Sequence, residues 1–251
     1  MGKADLHIHS SVSDGMASVA EIMAYVQENT DLDLVAIADH DAVDGALEAL
    51  EWVDSRPNCR LQAVFATEIT AILGRHLLAY FFRPPYPTTP LPRLRSYRWT
   101  IELIHEMGGV VAIPHPTVVW TPSGGYRHIR RLVEAGVHID GIEICNAAPG
   151  ARGNEEKLRQ FNGRDFHLAE LGGSDAHHLA QIGSAFTLFK GHTPADFEKS
   201  LALHKTRSCF GEPGAVTAGE HARQVFKSWV EKPTRGLRAT LANHYADLRQ
   251  P

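Results

Sequence analysis

Short apolar runs alternate with stretches of helical periodicity along most of the chain. Residues 4–9 and 33–38 have the length and composition of strands, whereas residues 18–28 and 43–53 place apolar side chains at helical spacing. Repeated alternation of strand and helix is typical of a parallel sheet. About seven such units within about 210 residues favour a barrel over an open sheet.

The same pattern continues as far as residue 204. Further strands are predicted at 61–72, 76–82, 110–113, 140–145, 166–171 and 185–189, and further helices at 94–107, 127–135, 154–161 and 193–204. Gly74 and Arg75 predict a tight connection, and the proline-rich residues 83–95 predict an ordered surface loop. We therefore expect a barrel over residues 1–210. We expect residues 211–251 to be a C-terminal helical extension that packs on the barrel or is flexible.

Composition narrows the class of protein. Of the 251 residues, 43% are hydrophobic, which is enough for one large domain with a buried core. The formal net charge of -4 argues against a protein that coats nucleic acid, because such proteins usually carry a strong basic excess. This charge does not exclude an enzyme that acts on a short anionic substrate.

The cysteines and the N-terminal residues indicate a cytoplasmic protein. Cys59, Cys145 and Cys209 are odd in number and widely spaced, which is typical of unpaired thiols in a reducing compartment. Residues 1–5 contain no apolar signal-peptide core, and no apolar run approaches the roughly 20 residues that span a bilayer. We therefore expect no membrane association.

Histidine is frequent, with fifteen residues, and it is both the commonest metal ligand and the usual acid or base near neutral pH. Five apolar runs end in His, Asp or Glu, and a sixth begins with His. The residues at these points are His7, His9, Asp39, His40, Asp41, Glu68, His76, His115, Asp175 and His177. A barrel gathers its strand ends on one face, where barrel enzymes place their catalytic groups.

Each of these signals has an ordinary alternative. His7 and His9 are two apart in a predicted strand, so both face one side and suit a single metal ion, but they could also be solvated on an edge strand. Asp14 lies in a Ser-Asp-Gly turn, where a helix cap is an ordinary role. Glu68 ends an apolar run, where an unpaired buried carboxylate would be costly.

As an ordered set, these motifs resemble the PHP (polymerase and histidinol phosphatase) family of metal-dependent phosphoesterases. The resemblance covers residues 4–210 and rests on His7-Ile8-His9-Ser10, Ser13-Asp14-Gly15, Asp39-His40, Glu68, Ile113-Pro114-His115-Pro116 and Gly173-Ser174-Asp175-Ala176-His177. It implies a distorted seven-stranded, TIM-like (β/α)7 barrel of the α/β class with a centre of two or three divalent metal ions.

The resemblance also implies a set of ligands for each ion. The first ion would be held by His7, His9, Glu68 and Asp175, the second by Asp14, His40 and His177, and the third by His76, His115 and the bridging Glu68. The predicted catalytic group consists of Asp14, Glu68, Asp175 and His177. Asp39 would orient a ligand imidazole.

The chemistry of these residues agrees with that assignment. Six imidazoles and three carboxylates without a thiolate suit Mn, Fe or Zn better than Mg or Ca. Three divalent ions against three carboxylates leave a formal charge of about +3, which attracts a phosphate. Two ions roughly 3.5–4 Å apart can activate a bridging water and hold both the attacking and the leaving oxygen. The expected reaction is attack of a metal-bridging hydroxide on a small phosphoester.

Arg152, in a loop after a predicted strand, and His178, beside a predicted ligand, are the candidate substrate-binding residues. A solvated loop arginine and an exposed neighbour of a ligand are the alternatives. The expected substrate is a phosphomonoester, a nucleotide or the end of a short oligonucleotide, without a stable nucleic-acid complex. The oligomeric state stays open.

Two other functions fit part of the pattern. Metal-dependent amidohydrolases also begin with His-x-His on a barrel strand, but they often bridge two metals with a modified lysine. No lysine lies between Lys3 and Lys157 in this chain. The other alternative is a non-catalytic, metal-binding regulatory domain, although a degenerate domain should lack some of the ligands that are present here.

Overall fold

The computed structural model describes residues 1–118, 123, 125–212 and 214–228. The chain divides into two compact units, Met1–Gly214 and Ala215–Pro251. The first unit carries all the motif residues and is described first.

The first unit contains two five-stranded sheets. Its strands are β1 (Gly2–Ile8), β2 (Leu34–Ile37), β3 (Gln62–Ala63), β4 (Phe65–Thr70), β5 (His76–Phe81), β6 (Val110–Ile113), β7 (Gly141–Asn146), β8 (Ala169–Gly173), β9 (Ala185–Phe189) and β10 (Arg207–Phe210). The strand orders are β10-β9-β1-β2-β3 and β4-β5-β6-β7-β8. Single bridges, Ile8 to Ala176 and His40 to Glu68, connect the two sheets beside the motif residues.

The expected seven-stranded (β/α)7 barrel is wrong. The described strands form two separate five-stranded sheets and do not close into a barrel. Both sheets are mixed, since β1–β9, β9–β10, β4–β5 and β5–β6 pair antiparallel, whereas the strands of a (β/α)7 barrel are parallel. A parallel pair needs a crossover of about a dozen residues or more. Residues 71–75 alone connect β4 to β5, so the chain must return alongside β4 in the opposite direction.

The helices of this unit lie close to the predicted ones. They are α1 (Val19–Asn29), α2 (Asp44–Asp54), α3 (Tyr97–Glu106), α4 (Gly125–Glu134), α5 (Glu155–Phe161) and α6 (Pro194–Ala202). Ser18, Ser96 and Thr193 begin three of them, each accepting a hydrogen bond from a backbone N–H in the first turn. The predicted strand at 61–72 is two strands, β3 and β4, and β10 was not predicted.

Apolar side chains from both sheets pack in one shared cluster that includes Leu6, Leu34, Leu78 and Leu171. Ile8 packs instead with α1 and α2. Simple alternation along β1 would place Leu6 and Ile8 on one side. The β1–β2 register shifts between Asp5 and Ile8, which breaks that alternation.

The second unit contains α7 (Ala218–Phe226) among its described residues. This helix begins at Thr217, whose hydroxyl and the Glu220 carboxylate form a capping box. The rest of the predicted extension, residues 229–251, lies outside the described residues. Within the described ranges, none of the helices has the length and apolar character required to cross a membrane.

Candidate metal centre

All nine predicted ligand side chains lie in one cluster, and six of the nine residues are buried. They form four overlapping groups whose ligand atoms lie within 4.8 Å of one another: His9, Asp14, His40 and His177; His7, His9 and Asp175; His7, Glu68 and His115; His40, Glu68 and His76. The fold therefore brings together every residue of the predicted set, whose role as ligands stays a prediction.

Glu68 contacts five imidazoles with its two carboxylate oxygens. Its Oε1 is 2.8 Å from His76 Nδ1 and 3.0 Å from His115 Nε2. Its Oε2 is 3.1 Å from His40 Nδ1 and 3.4 Å from Nε2 of both His7 and His9. Because the two oxygens face different imidazoles, this carboxylate can bridge two cation positions.

Asp14 and Asp175 complete the cluster from two loops. Asp14 Oδ1 is 3.4 Å from His177 Nε2, and its Oδ2 is 3.8 Å from His40 Nε2. Asp175 Oδ1 is 3.0 Å from His9 Nε2. The ring of His9 has centroid distances of 4.6 Å to His40 and 4.4 Å to His177. Carboxylates and imidazoles therefore alternate through the cluster.

The direction of β5 explains how His76 joins this cluster. In the β4–β5 pair Thr70 lies opposite His76, so β5 begins where β4 ends. A β5 parallel to β4 would begin at the other end of the sheet and would place His76 far from Glu68. The antiparallel pair, which departs from the expected barrel, is thus what brings these two side chains together.

The hydrogen bonding of two histidines fits a metal centre. Within the described residues, both ring nitrogens of His9 and Nδ1 of His76 are buried without a hydrogen-bond partner of good geometry. These nitrogens lie 2.8–3.8 Å from carboxylate oxygens of the cluster, so a metal ion between imidazole and carboxylate would replace contacts that are poorly aligned as hydrogen bonds. The donor set of imidazoles and carboxylates suits Mn, Fe or Zn.

Three of the imidazoles are oriented through their Nδ1 atoms. His7 Nδ1 is 2.9 Å from Glu143 Oε1, His177 Nδ1 is 2.9 Å from the carbonyl oxygen of Asp175, and His115 Nδ1 is 3.3 Å from Ser123 Oγ. A proton held on Nδ1 leaves Nε2 free to bind a metal ion. The carboxylate and the carbonyl oxygen accept, so they favour this tautomer at His7 and His177, whereas a hydroxyl can donate or accept and does not decide the tautomer of His115.

Glu143 is a site residue that the sequence analysis missed. Its buried carboxylate contacts His7 through Oε1, and Oε2 accepts hydrogen bonds from the His115 backbone N–H at 2.9 Å and from Asn146 Nδ2 at 2.8 Å. It therefore positions two predicted ligands. The available signal was a lone glutamate inside the apolar run of β7, Gly-Ile-Glu-Ile-Cys.

The imidazoles keep the carboxylates of the cluster ionised. Burial raises the pKa of Glu68, but His40, His76 and His7 together lower it more, so that its pKa lies well below the ordinary value. Burial also raises the pKa of Asp14, but the neighbouring imidazoles lower it more, so that the pKa of this carboxyl too is well below the ordinary value.

The carboxylates act on the imidazoles in return. Burial lowers the pKa of His177, but Asp14 and Asp175 raise it to a net value of about 9. At His7, Glu143 and Asp175 likewise outweigh burial, and the pKa is well above its ordinary value. An imidazole must be neutral to bind a metal ion, so metal binding releases protons here and weakens at low pH.

Three residues in or beside the cluster have left-handed backbone conformations, with φ of 50° at Asp41, 28° at His115 and 52° at Asp175. Sparsely populated conformations of this kind cost on the order of 1–3 kcal/mol each and concentrate at functional sites. The lack of a side chain at Gly173 lets the Glu143 carboxylate lie close to the backbone, because a Cβ at this position would be 2.2 Å from Glu143 Oε1.

Two buried aspartates hold the surrounding loops. Among the described residues Asp39 has no imidazole partner: its carboxylate accepts hydrogen bonds from Ser10 N at 2.8 Å, Ser10 Oγ at 2.6 Å and Ser13 Oγ at 2.5 Å. Asp5 accepts hydrogen bonds from the backbone of Ser174 and Gly183. Burial raises the pKa of Asp5 to about 6, and these hydrogen bonds offset part of that effect.

The two predicted substrate-binding residues make structural contacts. Arg152 Nη2 donates to the carbonyl oxygen of Ser184 at 3.2 Å, and its guanidinium carbon lies 4.4 Å from the centroid of the Phe210 ring. The backbone N–H of His178 donates to Gln181 Oε1 at 3.2 Å. The roles of Arg152 and His178 in substrate binding stay predictions.

A separate group lies at the N-terminal ends of β6 and β7. Asp140 Oδ2 is 2.8 Å from His105 Nε2 and also accepts a hydrogen bond from Val111 N at 2.8 Å, while Oδ1 is 3.1 Å from His138 Nε2. These contacts connect the end of α3 to both strands, in keeping with a structural role for the two histidines.

The C-terminal part of the first unit matches a known family model. This model, described as PHP-associated, matches residues 162–206. A curated relative, the uncharacterized protein MJ1587 of Methanocaldococcus jannaschii, is 27% identical over 156 residues, which are 58% of this chain and 82% of the relative.

Solved structures share the architecture over most of the chain. A two-domain protein from Bacteroides vulgatus that contains a predicted PHP-like metal-dependent phosphoesterase matches with a TM-score of 0.65 at 18% identity, covering 90% of this chain and 69% of that one. The chain has the PHP fold. The resemblance seen in the motifs is confirmed by this match and by the PHP-associated segment.

Two further solved structures share this fold over most of the chain. The lesion-specific endonuclease PfuEndoQ from Pyrococcus furiosus matches with a TM-score of 0.59 at 19% identity, covering 80% of this chain and 56% of that one. An amidohydrolase from Chromobacterium violaceum matches with a TM-score of 0.56 at 18% identity, covering 70% of this chain and 87% of that one.

Proposed function

We propose that the protein is a metal-dependent phosphoesterase. The observation that carries this proposal is the position of Glu68, whose two carboxylate oxygens face separate sets of imidazoles within a cluster of nine ligand-type side chains. The similarity to a protein that contains a PHP-like metal-dependent phosphoesterase supports it.

The centre would hold two or three divalent ions of Mn, Fe or Zn. The residues that would hold them are His7, His9, Glu68 and Asp175 for the first ion, Asp14, His40 and His177 for the second, and His76, His115 and Glu68 for the third. When bound, such ions supply Lewis acidity that activates water and withdraws charge from phosphate oxygens.

The residues of the chain set the orientation and the charge of this centre. Glu143 holds a proton on Nδ1 of His7, so that Nε2 faces Glu68 and Asp175 at 3.4 and 3.5 Å. The carboxylates of Asp14, Glu68 and Asp175 carry three negative charges, so two divalent ions would leave about +1 and three would leave about +3. That balance favours the binding of a phosphate dianion.

Access to the cluster is through its half-buried members. The side chain of His177 is 16% exposed, which is more than that of any other residue of the nine. A phosphoester would approach past His177, which we place with Asp14, Glu68 and Asp175 in the catalytic group.

The substrate class that we propose is a nucleotide or the end of an oligonucleotide. The similarity to a lesion-specific endonuclease supports a phosphoester within nucleic acid or derived from it. Arg152 and His178 are the candidate residues for the substrate phosphate, and Arg152→Ala is then expected to raise KM more than it lowers kcat.

The decisive experiment measures phosphate or nucleotide release from phosphomonoester, phosphodiester and nucleotide substrates in the presence of Mn, Fe or Zn. His9→Ala and Asp175→Ala should abolish release and lower the metal content. His221→Ala, an exposed histidine on α7, is the matched control and should retain both. Activity of the wild type no higher than that of the two site variants would exclude the phosphoesterase function.

Amide hydrolysis is the second candidate, since a structure named as an amidohydrolase shares the fold. The chain has no lysine between Lys3 and Lys157 that could bridge two ions there, and Glu68 occupies the central position instead. Hydrolysis of cyclic amides at rates above those for every phosphoester would favour this alternative.

A further inference from the structure

Residues 69–101, which we call the rim segment, have an unusual charge. The segment contains five arginines and neither aspartate nor glutamate, whereas the whole chain has a net charge of -4. It runs from the end of β4 through β5 and the proline-rich loop into α3. A concentration of one charge in an otherwise acidic chain is typical of a surface that binds an oppositely charged partner.

The rim segment is continuous with the candidate metal centre. Thr70 lies opposite His76 in the β4–β5 pair, and its backbone N–H donates to Oδ1 of Asp41 at 2.7 Å. The proline-rich loop returns to the same place, because Leu94 N donates to the carbonyl oxygen of Thr70 at 2.7 Å. The end of this loop therefore lies beside the start of β5, where His76 is located.

Four large apolar side chains of the rim segment are exposed to solvent: Ile72 by 49%, Leu73 by 73%, Leu94 by 58% and Trp99 by 41%. Ile72 N donates to the carbonyl oxygen of Arg95 at 2.8 Å, which brings the turn before β5 against the proline-rich loop. Neighbouring exposed apolar side chains rimmed by charge are typical of interaction sites.

The backbone holds two of these side chains outward at an energetic cost. Leu73 has φ of 64° and Leu94 has φ of 59°. Bulky residues rarely adopt this left-handed region, in which each costs on the order of 1–3 kcal/mol.

Three arginines of the rim segment lie on the turn before β5 or on the proline-rich loop. The Arg95 guanidinium carbon lies 5.4 Å from the centroid of the Trp99 ring, and Arg95 has no acidic partner among the described residues. Arg93 Nε lies 3.4 Å from Asp41 Oδ2. Arg75, next to His76, donates to Nε2 of His128 at 2.9 Å and forms no salt bridge among the described residues.

The other two arginines are engaged elsewhere. Arg83 forms a salt bridge with Glu198 on α6. Arg98 lies 3.8 Å from Glu102 and donates to the carbonyl oxygen of Ala135 at 2.9 Å. Replacement of either arginine would remove a positive charge from the rim segment without changing the exposed apolar surface, so both residues can serve as controls.

We propose that the rim segment binds a single strand of nucleic acid and leads its phosphodiester end to the metal centre. The inference rests on the proposed phosphoesterase function and specifies its substrate class. Arg93 and Arg95 would contact phosphates, while Trp99 with Arg95 would stack a base. Exposed apolar groups can contact base faces only where the bases are unpaired, so a single strand fits better than a duplex.

The experiment measures binding of a 5′-fluorescein-labelled, phosphorothioate-linked oligothymidylate of twelve nucleotides to the Mn-loaded full chain by fluorescence anisotropy. Arg95→Ala and Trp99→Ala should each weaken binding by about 5-fold to 100-fold, since removal of one stacking side chain has an effect of this order. Arg95→Ala should also lower the slope of log Kd against log salt by about 0.7. Trp99→Phe should restore most of the affinity, which a general folding defect would not allow.

Arg98→Ala is the matched control and should bind within twofold of the wild type. Hydrolysis of bis-p-nitrophenyl phosphate, which has one phosphate and no base to stack, should fall much less than oligonucleotide binding in Arg95→Ala and Trp99→Ala. Oligonucleotide binding by a wild type that hydrolyses no phosphoester would support the surface while removing the proposed activity.

Two results would overturn the inference. One is wild-type affinity in both Arg95→Ala and Trp99→Ala. The other is an absence of oligonucleotide binding together with self-association that Trp99→Ala abolishes, which would assign the surface to a second copy of the chain.

Discussion

Replacement of Glu143 by glutamine should weaken metal binding by about 10- to 100-fold, the usual effect of changing a residue that orients a metal ligand. The carboxylate accepts three hydrogen bonds, from His7 Nδ1 through Oε1 and from His115 N and Asn146 Nδ2 through Oε2. Glutamine has the same shape but one oxygen and one NH2 group, so it cannot accept all three.

The two orientations of the new amide differ in energy. If its NH2 group faces His115 N and Asn146 Nδ2, two buried donors lose their acceptor, at about 1–3 kcal/mol each. If it faces His7, a single contact changes, and Nδ1 must become the acceptor. The second orientation should prevail, and it moves the His7 proton to Nε2, which faces Glu68 and Asp175. This nitrogen is then blocked as a ligand.

The assay is a titration of the protein with Zn or Mn in competition with a chelator of known affinity, followed by activity as a function of metal concentration. Glu170→Gln is the matched control, because Glu170 is a half-buried carboxylate that pairs with Arg159. It should affect stability without changing metal affinity. Metal affinity of Glu143→Gln within threefold of the wild type would refute the tautomer argument.

Three further predictions concern stability and packing. Burial raises the pKa of the Asp140 carboxyl, but the hydrogen bond from His105 and other contacts bring that pKa below its ordinary value of 3.8. The stability that the ionised carboxylate contributes to the fold is therefore complete above the ordinary pKa and is lost as the pH falls through the folded-state pKa. Asp140→Asn should therefore lower the free energy of unfolding by about 1–3 kcal/mol at pH 7 and by less below pH 4 in urea titrations; an equal loss at both pH values would contradict this. Gly173→Ala should reduce metal content and activity, because its Cβ would lie 2.2 Å from Glu143 Oε1, and full metal occupancy in the variant would contradict the close approach. Ser18→Ala should destabilise the protein by about 1 kcal/mol in the same titrations through loss of the α1 cap, with no change in activity.

Several candidate site residues could be predicted from local patterns, and the resemblance to the PHP family added the rest of the set. An apolar run that stops at a polar residue marks a strand end, as at His40 and His115. Helix starts are equally local, since the cap and its acceptor are three residues apart, as in Ser18 and Glu21. The motifs and most elements were therefore accessible without knowledge of the packing.

Contacts between distant segments could not be predicted in this way. Glu143 meets His7 across 136 positions of sequence, and its placement inside an apolar strand gives no indication of its partner. The aromatic and arginine side chains of the rim segment were similarly ambiguous, because their exposure depends on how the proline-rich loop returns to Thr70.

The local pattern of apolar and polar residues was thus sufficient to locate several histidines and carboxylates at or near strand ends, because periodicity and capping act over a few residues. The direction and partners of the strands were decided by the tertiary structure alone. The short connection of residues 71–75 turns β5 back along β4, since a parallel pair needs a longer crossover. That reversal replaces the expected barrel with two mixed sheets, and it places His76 within 2.8 Å of Glu68.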